Sequence, residues 1–345
     1  MSDKHKRATI VDVAKLAGVS IGTVSRIVNT EAGPEATRKR VLAAIAELDY
    51  VPNHVARSLK RRTTEQIALV VPDLANPVYV AMAKSIQREA KERGYRLSLM
   101  STDDAPGEED FALDGLEQRR VDGIIICSLK PTARLVERLE RVHERVCVVG
   151  RVPEAAHVDN VRVDSTGGAL AAVQHLLDSG RRTVGFINGT AGTVPAETRA
   201  AGYRRALEEN GLQVDEDLCA SDDFSMAGGY RSIDSLLATR RNLDAIFCAN
   251  DVIALGALRR LRELGIDVPG QVALVGMDDI ELGKISTPTL STVSLLAEER
   301  GRLAAEMLLD RLLGGDGEPP RKVTVAPRLI VRESSTDYIR HEVPT

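Results

Sequence analysis

The stretch IGTVSRIVN (21–29) is polar where a helix of a protein core would be apolar. If the stretch is helical, only Val24 and Ile27 remain to pack inward. Its other positions are Ile21, Gly22, Thr23, Ser25, Arg26 and Asn29. Hydroxyl and amide groups bind phosphates, a guanidinium reads guanine edges through two hydrogen bonds, and an aliphatic group contacts the thymine methyl. We therefore interpret this stretch as a helix that reads DNA, in preference to one helix of a protein-binding bundle.

Polar side chains also follow several apolar runs in the rest of the chain. They are Asp73, Asn76, Arg151, Asn188, Asn250, Asp251, Asp278 and Asp279. In open α/β sheets, ligands bind at the carboxyl ends of the strands, so this set predicts a ligand cleft. Asp and Asn at these positions can equally cap the helix that follows, and for any single residue both interpretations stay open.

The elements that position the first set form a helix-turn-helix. Thr9 caps a first helix, and the Asp12 side chain can accept a hydrogen bond from the cap in return. Gly18 permits the left-handed turn that ends this helix. GVS (18–20) is then a three-residue turn in which Val19 fills the angle, and Ser20 caps a second helix over 21–28. A third helix over 35–48 is predicted to cover the other two with Val41, Leu42, Ile45 and Leu48.

The segment NHVARSLKRR (53–62) is strongly basic and predicts one short amphipathic helix. A helix of this length is unstable alone. It therefore needs a second copy of the chain and DNA in order to form.

ATIVDVAKLAGVSIGTVSRIVN, followed by TRKRVLAAIAELDYVPNHVARSL, resembles the LacI/GalR repressor family. The resemblance implies that Ile21, Gly22 and Arg26 read bases in the major groove, and that Leu59 is a leucine wedged into the minor groove. Gly22 offers no side chain, so Ile21 and Arg26 carry more of the discrimination. The residues expected at the DNA are Thr9, Ser20, Ile21, Gly22, Thr23, Ser25, Arg26, Asn29, Asn53, His54, Ala56, Arg57, Leu59 and Lys60.

From residue 66 onward, short apolar runs alternate with amphipathic helical stretches, which predicts buried parallel strands covered on both faces. The predicted strands are 67–71, 95–100, 123–127, 146–150, 183–188, 245–249 and 272–276. Seven strands over this length favour two doubly wound α/β subdomains. The resemblance implies two periplasmic-binding-protein-like lobes, between which the chain crosses near 160, 290 and 325.

We accordingly expect three parts: a head over 1–51, a hinge helix and linker over 52–64, and an effector-binding and dimerisation core over 65–345. Lobe one is expected at about 65–161 and 291–325. Lobe two is expected at about 162–290 and 326–340.

By the same resemblance, Arg199, Asn250 and Asp278 fall on polar effector-binding positions, and Phe224 and Tyr79 on aromatic walls. A guanidinium and a carboxylate can hold vicinal hydroxyls, and a ring packs against the apolar face of a sugar. The expected effector site comprises Asp73, Asn76, Tyr79, Arg151, Arg199, Phe224, Asn250 and Asp278. Ser165 departs from the family's usual Asn, which leaves that position as an expected helix cap.

The charge distribution supports a DNA-binding head. Residues 1–64 hold 12 Lys/Arg against 6 Asp/Glu, whereas the remainder holds 34 against 44. A basic segment attached to an acidic body is typical of a nucleic-acid-binding module joined to a domain that does not bind DNA.

Other classes lack their signatures. No G-x-G-x-x-G or H-E-x-x-H is present, so we expect no enzyme, cofactor or metal. The four cysteines are scattered, and three of them lie in apolar runs, which favours reduced, buried side chains. No apolar run reaches membrane-spanning length and the start lacks the apolar core of a signal peptide, so a cytoplasmic protein is expected rather than a periplasmic solute-binding protein.

The sequence thus predicts a homodimeric repressor that binds a palindromic operator duplex and is released by an effector, expected to be a saccharide. The genes expected under its control serve sugar uptake or catabolism. Nucleobase or phosphoprotein corepressor control remains the alternative. The residues after 333 contain no leucine heptads for tetramerisation.

Overall fold

The structure, a computed structural model, describes residues 8–30, 32–51, 63–105, 107–239, 242–314 and 317–336. The chain divides into two compact units, and the division falls between Thr64 and Glu65. We call the first unit the head and the second the core.

The head contains three helices, which are α1 (Ile10–Ala17), α2 (Ile21–Thr30) and α3 (Glu35–Glu47). They enclose a small core made by Val13, Ala14, Ala17, Val24, Ile27, Val41 and Ala44. The prediction that Leu42 joins this core is wrong. Leu42 is 52% exposed, because Val41 and Ala44 define the inward face of α3 and Leu42 lies off that face.

The predicted caps of the head are confirmed. Thr9 and Asp12 form a reciprocal capping box, in which the backbone N–H of Thr9 donates to Asp12 Oδ2 at 2.9 Å. Gly18 adopts φ 64, the left-handed conformation that glycine tolerates best. The N–H of Thr23 donates to Ser20 Oγ at 3.2 Å, so Ser20 caps the second helix. The left-handed turn at Gly18 and the cap at Ser20 form the junction between α1 and α2.

The core consists of two lobes, each built on one sheet. The helices and strands of lobe one are β1 (Gln66–Val71), α4 (Pro77–Glu92), β2 (Arg96–Ser101), α5 (Glu108–Glu117), β3 (Gly123–Ile126), α6 (Ala133–Arg141), β4 (Val146–Val149), β5 (Asp159–Val163), α12 (Ala297–Leu312) and β11 (Lys322–Val325).

Lobe two is assembled from the intervening and final segments. Its elements are α7 (Ser165–Asp178), β6 (Val184–Asn188), α8 (Val194–Glu209), β7 (Cys219–Ser221), α9 (Met226–Ala238), β8 (Ala245–Cys248), α10 (Asp251–Glu263), β9 (Ala273–Met277), α11 (Glu281–Ile285), β10 (Ser291–Ser294) and β12 (Arg328–Ile330). Short 3-10 turns lie at His143–Arg145, Glu216–Leu218 and Glu333–Ser335.

The two sheets have corresponding strand orders. Lobe one reads β11-β5-β4-β3-β1-β2 and is parallel throughout, and lobe two reads β12-β10-β9-β8-β6-β7 with β12 antiparallel at its edge. All seven predicted strands are present. Alternate residues of β1 enter different clusters, with Leu69 on one face and Val70 on the other, so lobe one is covered on both sides. The predicted doubly wound α/β core is confirmed.

The chain passes between the lobes three times, after β5, after β10 and after β11. The expected lobe boundaries need two corrections. Residues 291–294 belong to lobe two rather than lobe one, because β10 pairs in parallel with β9. Arg162 and Val163 belong to lobe one, because β5 continues its pairing with β11 as far as Val163.

A buried ion pair joins α12 to β5 within lobe one. The Arg311 guanidinium of α12 donates to both carboxylate oxygens of Asp159 at 2.7 and 2.9 Å, and both side chains are almost fully buried. Cys127, Cys147 and Cys248 are free and buried, as expected. Across the described residues, none of the helices combines the length and the apolar character that crossing a lipid bilayer requires.

Candidate functional site

Helix α2 presents the expected reading face. Val24 and Ile27 are buried in the head, whereas Ile21 is 48% exposed. Gly22 and Arg26 are also exposed, and Thr23 and Ser25 are half-buried. The inward and outward halves of α2 therefore divide as the sequence predicts. The side chain of Asn29 lies outside the part of the chain that can be described.

The expected hinge positions also lie outside the described residues. They are Asn53, His54, Ala56, Arg57, Leu59 and Lys60. Their roles at DNA stay predictions.

The core contains a cavity of about 460 Å³ between its two lobes. The eight residues predicted to bind an effector all line this cavity; they are Asp73, Asn76, Tyr79, Arg151, Arg199, Phe224, Asn250 and Asp278. The cavity lies at the carboxyl ends of β1, β4, β8 and β9, where the strand-end argument places it. Its volume is within the range of roughly 300–1,000 Å³ that small-molecule sites occupy.

Arg199 and Asp278 form the charged centre of the lobe-two wall. Arg199 Nη2 lies 3.7 Å from Asp278 Oδ1, and Arg199 Nη1 donates to the carbonyl of Ala249 at 2.7 Å. The Phe224 ring centroid is 5.9 Å from the Arg199 guanidinium carbon. Arg199 Nε has no hydrogen-bond partner in the described structure. The pair therefore keeps unused hydrogen-bonding capacity in the cavity.

Asp278 is held in an unusual conformation. Its φ of 119° lies in the region that favours glycine, and such strain concentrates at functional sites. Burial raises the pKa of Asp278, while Arg199, Arg300 and Asn76 oppose that rise. The carboxylate is thus poised between desolvation, which favours its neutral form, and cations that favour its charged form.

Asp251 supports Asp278 from behind. Asp251 is fully buried and accepts a hydrogen bond from the Thr292 hydroxyl at 2.5 Å and from the Ile280 N–H at 2.9 Å. Burial, followed by repulsion from Asp278, raises the pKa of Asp251 to about 7. Asp251 does not line the cavity; it ties β10 to the loop that carries Asp278.

Two of the eight predicted effector residues cap the helix that follows them, as the helix-capping interpretation allows. Asn76 Oδ1 accepts the N–H of Val78, and Asn250 Oδ1 accepts the N–H of Ile253 at 2.7 Å. The cap of α7 is Asp164, whose Oδ1 accepts the N–H of Gly167 at 2.8 Å. The expectation that Ser165 is this cap is wrong, because Ser165 is already the first residue of α7.

The remaining predicted residues form the aromatic and outer walls. Tyr79 is half-buried on lobe one, and desolvation raises the pKa of its hydroxyl well above its usual value. Asp73 folds back on its own turn by accepting the N–H of Ala75 at 2.7 Å. Arg151 is exposed at the edge of the cavity.

Sequence reasoning missed several polar residues of the cavity, which are Ser128, Arg162, Asp164, Thr198, Arg300 and Thr324. Most lie on a crossing, on an edge strand or inside a helix rather than directly after an apolar run. Only knowledge of where the chain crosses between lobes could have identified Arg300 and Thr324 in advance.

The lobes touch directly beside the cavity. The N–H of Val194, at the start of α8 in lobe two, donates to the carbonyl of Leu129 in lobe one at 2.9 Å. A backbone hydrogen bond of this kind breaks if the lobes separate. The structure therefore represents a closed cleft on this side.

Comparison with known proteins finds a matching family profile for each of the two units. Residues 9–53 match the profile of bacterial regulatory proteins of the lacI family, and residues 173–335 match that of the periplasmic binding protein-like domain. The HTH-type transcriptional repressor PurR of Aliivibrio salmonicida is 33% identical over 330 residues, which cover 95% of this chain and 98% of the relative.

Two solved structures are similar over nearly the whole chain. The complex of the transcriptional regulator CelR with cellobiose is 34% identical, covering 95% of this chain and 100% of the other, with a TM-score of 0.72. The lac repressor dimer bound to operator and the anti-inducer ONPF is 27% identical, covering 96% of this chain and 99% of the other, with a TM-score of 0.82.

These likenesses define the protein as a DNA-binding transcriptional regulator. The chain belongs to the LacI family of bacterial regulatory proteins.

Proposed function

We propose that this regulator is a homodimeric repressor that a small sugar-type molecule releases from a palindromic operator. The genes it controls would serve sugar uptake or catabolism. The observation that carries the proposal is the cavity: eight residues selected for ligand chemistry converge on one cavity between the lobes.

In this proposal the exposed face of α2 binds the major groove. Ile21 offers an aliphatic group and Arg26 a guanidinium, while Gly22 lets the backbone approach closely. Two copies of the chain would place two such helices on successive half-sites, and paired hinge helices would insert Leu59 into the central minor groove. With few side chains to read bases, the deformation of the operator would carry part of the specificity.

The effector would bind at the proposed site residues of the cavity. Arg199 and Asp278 can hold neighbouring hydroxyls, and Phe224 and Tyr79 can pack against the sugar ring. Sugar binding is supported by the CelR complex with cellobiose, to which this chain is similar over 95% of its length. A nucleobase or a protein corepressor is the second candidate, favoured by the likeness to the repressor PurR.

Closure of the cleft would link effector binding in the cavity to operator binding by the heads. Two of the crossings line the cavity, through Asp164 and Leu295, and Thr324 of β11 lines it just before the third crossing. An effector that binds one degree of closure more tightly shifts the core toward it and changes the spacing of the two heads. The affinity for the operator then falls.

The cavity assignment is tested by replacing Arg199. We expect Arg199→Ala to bind an operator fragment as tightly as the wild type and to respond to the effector at least about tenfold more weakly, because one charge-assisted hydrogen bond is worth roughly 1.5–3 kcal/mol. Operator affinity would be measured by fluorescence anisotropy on a fragment selected from random DNA. Effector candidates would come from thermal-shift screening of sugars and nucleobases. A ligand at 100 times its Kd raises the free energy of unfolding by about 2.7 kcal/mol, which such screening detects.

Arg205→Ala is the matched control, because Arg205 lies on the same helix but pairs with Glu209 at the surface. An Arg199→Ala variant that is released from the operator normally would show that the effector binds elsewhere. Release by nucleobases and not by sugars would favour the second candidate.

A further inference from the structure

Arg300 is a buried cation that has no hydrogen-bond or ion-pair partner among the described residues. It lies near the start of α12, lines the cavity and is 8% exposed. Its Nε has no hydrogen-bond partner, and within the described ranges its guanidinium makes neither a hydrogen bond nor an ion pair. Buried arginines in proteins are ordinarily paired.

The other two arginines of the same helix show what a paired arginine looks like here. Arg302 pairs with Glu299 at 2.9 Å and also with Glu306. Arg311 binds Asp159 through two hydrogen bonds. Arg300 alone among the arginines of α12 faces the cavity without an acceptor.

The groups around Arg300 do not balance its charge. Among the described residues, the carboxylate that acts on Arg300 is Asp278, and it already lies 3.7 Å from Arg199. Cys127 and Tyr79 are the other neighbours, and burial raises the pKa of both, so they stay protonated and neutral at pH 7. Two guanidinium groups thus share one carboxylate in this part of the cavity.

We infer that the effector carries an anionic group, a carboxylate or a phosphate, which Arg300 binds inside the cavity. This inference rests on the proposed function, in which the cavity is the effector site. A planar guanidinium suits either anion, because it donates two parallel hydrogen bonds. The effector class is therefore an acidic sugar, with its ring held by the aromatic walls and its hydroxyls by Arg199 and Asp278.

The first test compares binding of matched sugars by isothermal titration calorimetry. The probes are glucuronate and glucose 6-phosphate against glucose, and galacturonate and galactose 6-phosphate against galactose. We expect at least one acidic probe to bind the wild type about tenfold or more tightly than its neutral partner. Preference for the uronate or for the phosphate identifies the anion.

The variants assign that preference to one residue. Arg300→Leu should lose the preference, whereas Arg302→Leu, the control on the same helix, should keep it. The inference is overturned if neutral sugars bind as tightly as acidic ones, if no acidic probe binds, or if Arg300→Leu keeps the preference. A neutral sugar that releases the operator would leave the proposed function intact while refuting this inference; no effect of any sugar on operator binding would count against both.

The Tm of the unliganded variants separates a binding role from a structural one. Removing an unpaired buried charge should leave the Tm of Arg300→Leu unchanged or raise it by about 2–4 °C. A fall of that size would show that the guanidinium supports the fold and would overturn the inference.

Discussion

At the scale of single residues, the cavity concentrates features that cost stability. Asp278 has a strained backbone, Asp251 is a carboxyl group buried behind it, and Arg300 is a cation without an acceptor. Proteins retain such features where function requires them. The strand-end argument identified Asp278 because apolar strands are easy to recognise, and it missed Arg300 because nothing in a helical stretch marks which residue will face a cleft.

Asp251 makes stability depend on pH in a predictable direction. Its pKa in the folded protein is raised to about 7, above its unfolded value, so the folded state binds the proton more tightly. This group therefore adds no penalty below its unfolded pKa, and its burial costs stability progressively as pH rises toward 7. Asp251→Asn keeps the shape and can accept from Ile280 while donating to Thr292.

We expect the free energy of unfolding of Asp251→Asn to exceed that of the wild type at pH 8 by an amount on the order of a few kcal/mol. The difference should shrink as pH falls toward 4. Urea unfolding at pH 4, 6 and 8 measures it. A difference that is the same at all three values would mean that Asp251 does not titrate in this range.

At the scale of elements, lobe two depends on the close approach of α9 and α10. A Cβ built on Gly256 would lie 1.9 Å from the carbonyl oxygen of Met226, and one on Gly229 would lie 2.1 Å from that of Ile253. These atoms are backbone, so neither can move aside without parting the helices. Phe224 and Asn250 adjoin these helices and line the cavity, which means that the helix spacing also sets one wall of the cavity.

Gly256→Ala should therefore destabilise the core by roughly 1–3 kcal/mol, the usual cost of overpacking. Gly115→Ala, in α5, is the control, because its added Cβ meets only the Arg120 side chain at 3.9 Å. That change should stabilise the protein by about 0.5–1 kcal/mol through helix propensity. The Tm measured by thermal unfolding should fall in Gly256→Ala and rise in Gly115→Ala. Equal changes of Tm in the two variants would refute the packing argument.

Helix ends and strands could be predicted where the residue types alone favour one local structure. The caps at Thr9, Gly18 and Ser20 follow from residue type and spacing, and the long apolar runs became the predicted strands. The strands that were missed are short or polar, and they are Asp159–Val163, Cys219–Ser221, Ser291–Ser294, Lys322–Val325 and Arg328–Ile330. Their pairing with neighbouring strands, rather than their own composition, makes them strands.

At the scale of the whole molecule, regulation in this account is an equilibrium between degrees of lobe closure. The hydrogen bond from Val194 to Leu129 joins the lobes beside the cavity, and Leu296 at the second crossing has φ 51, a conformation that costs a non-glycine residue free energy. The crossings had been expected from family resemblance, since periodicity alone predicts strands and not the lobe to which each belongs. That limit explains why residues 291–294 were placed in the wrong lobe.

The central claim is that the cavity and the DNA-binding head are energetically coupled. By linkage, if the effector lowers operator affinity by some factor, the operator must lower effector affinity by the same factor. The most direct test is calorimetric titration of the effector into the protein with both head and core, alone and saturated with its operator duplex. The account predicts a Kd for the effector that is roughly 5–150-fold higher on the operator, the usual range of such coupling. Equal affinities with and without operator would contradict it.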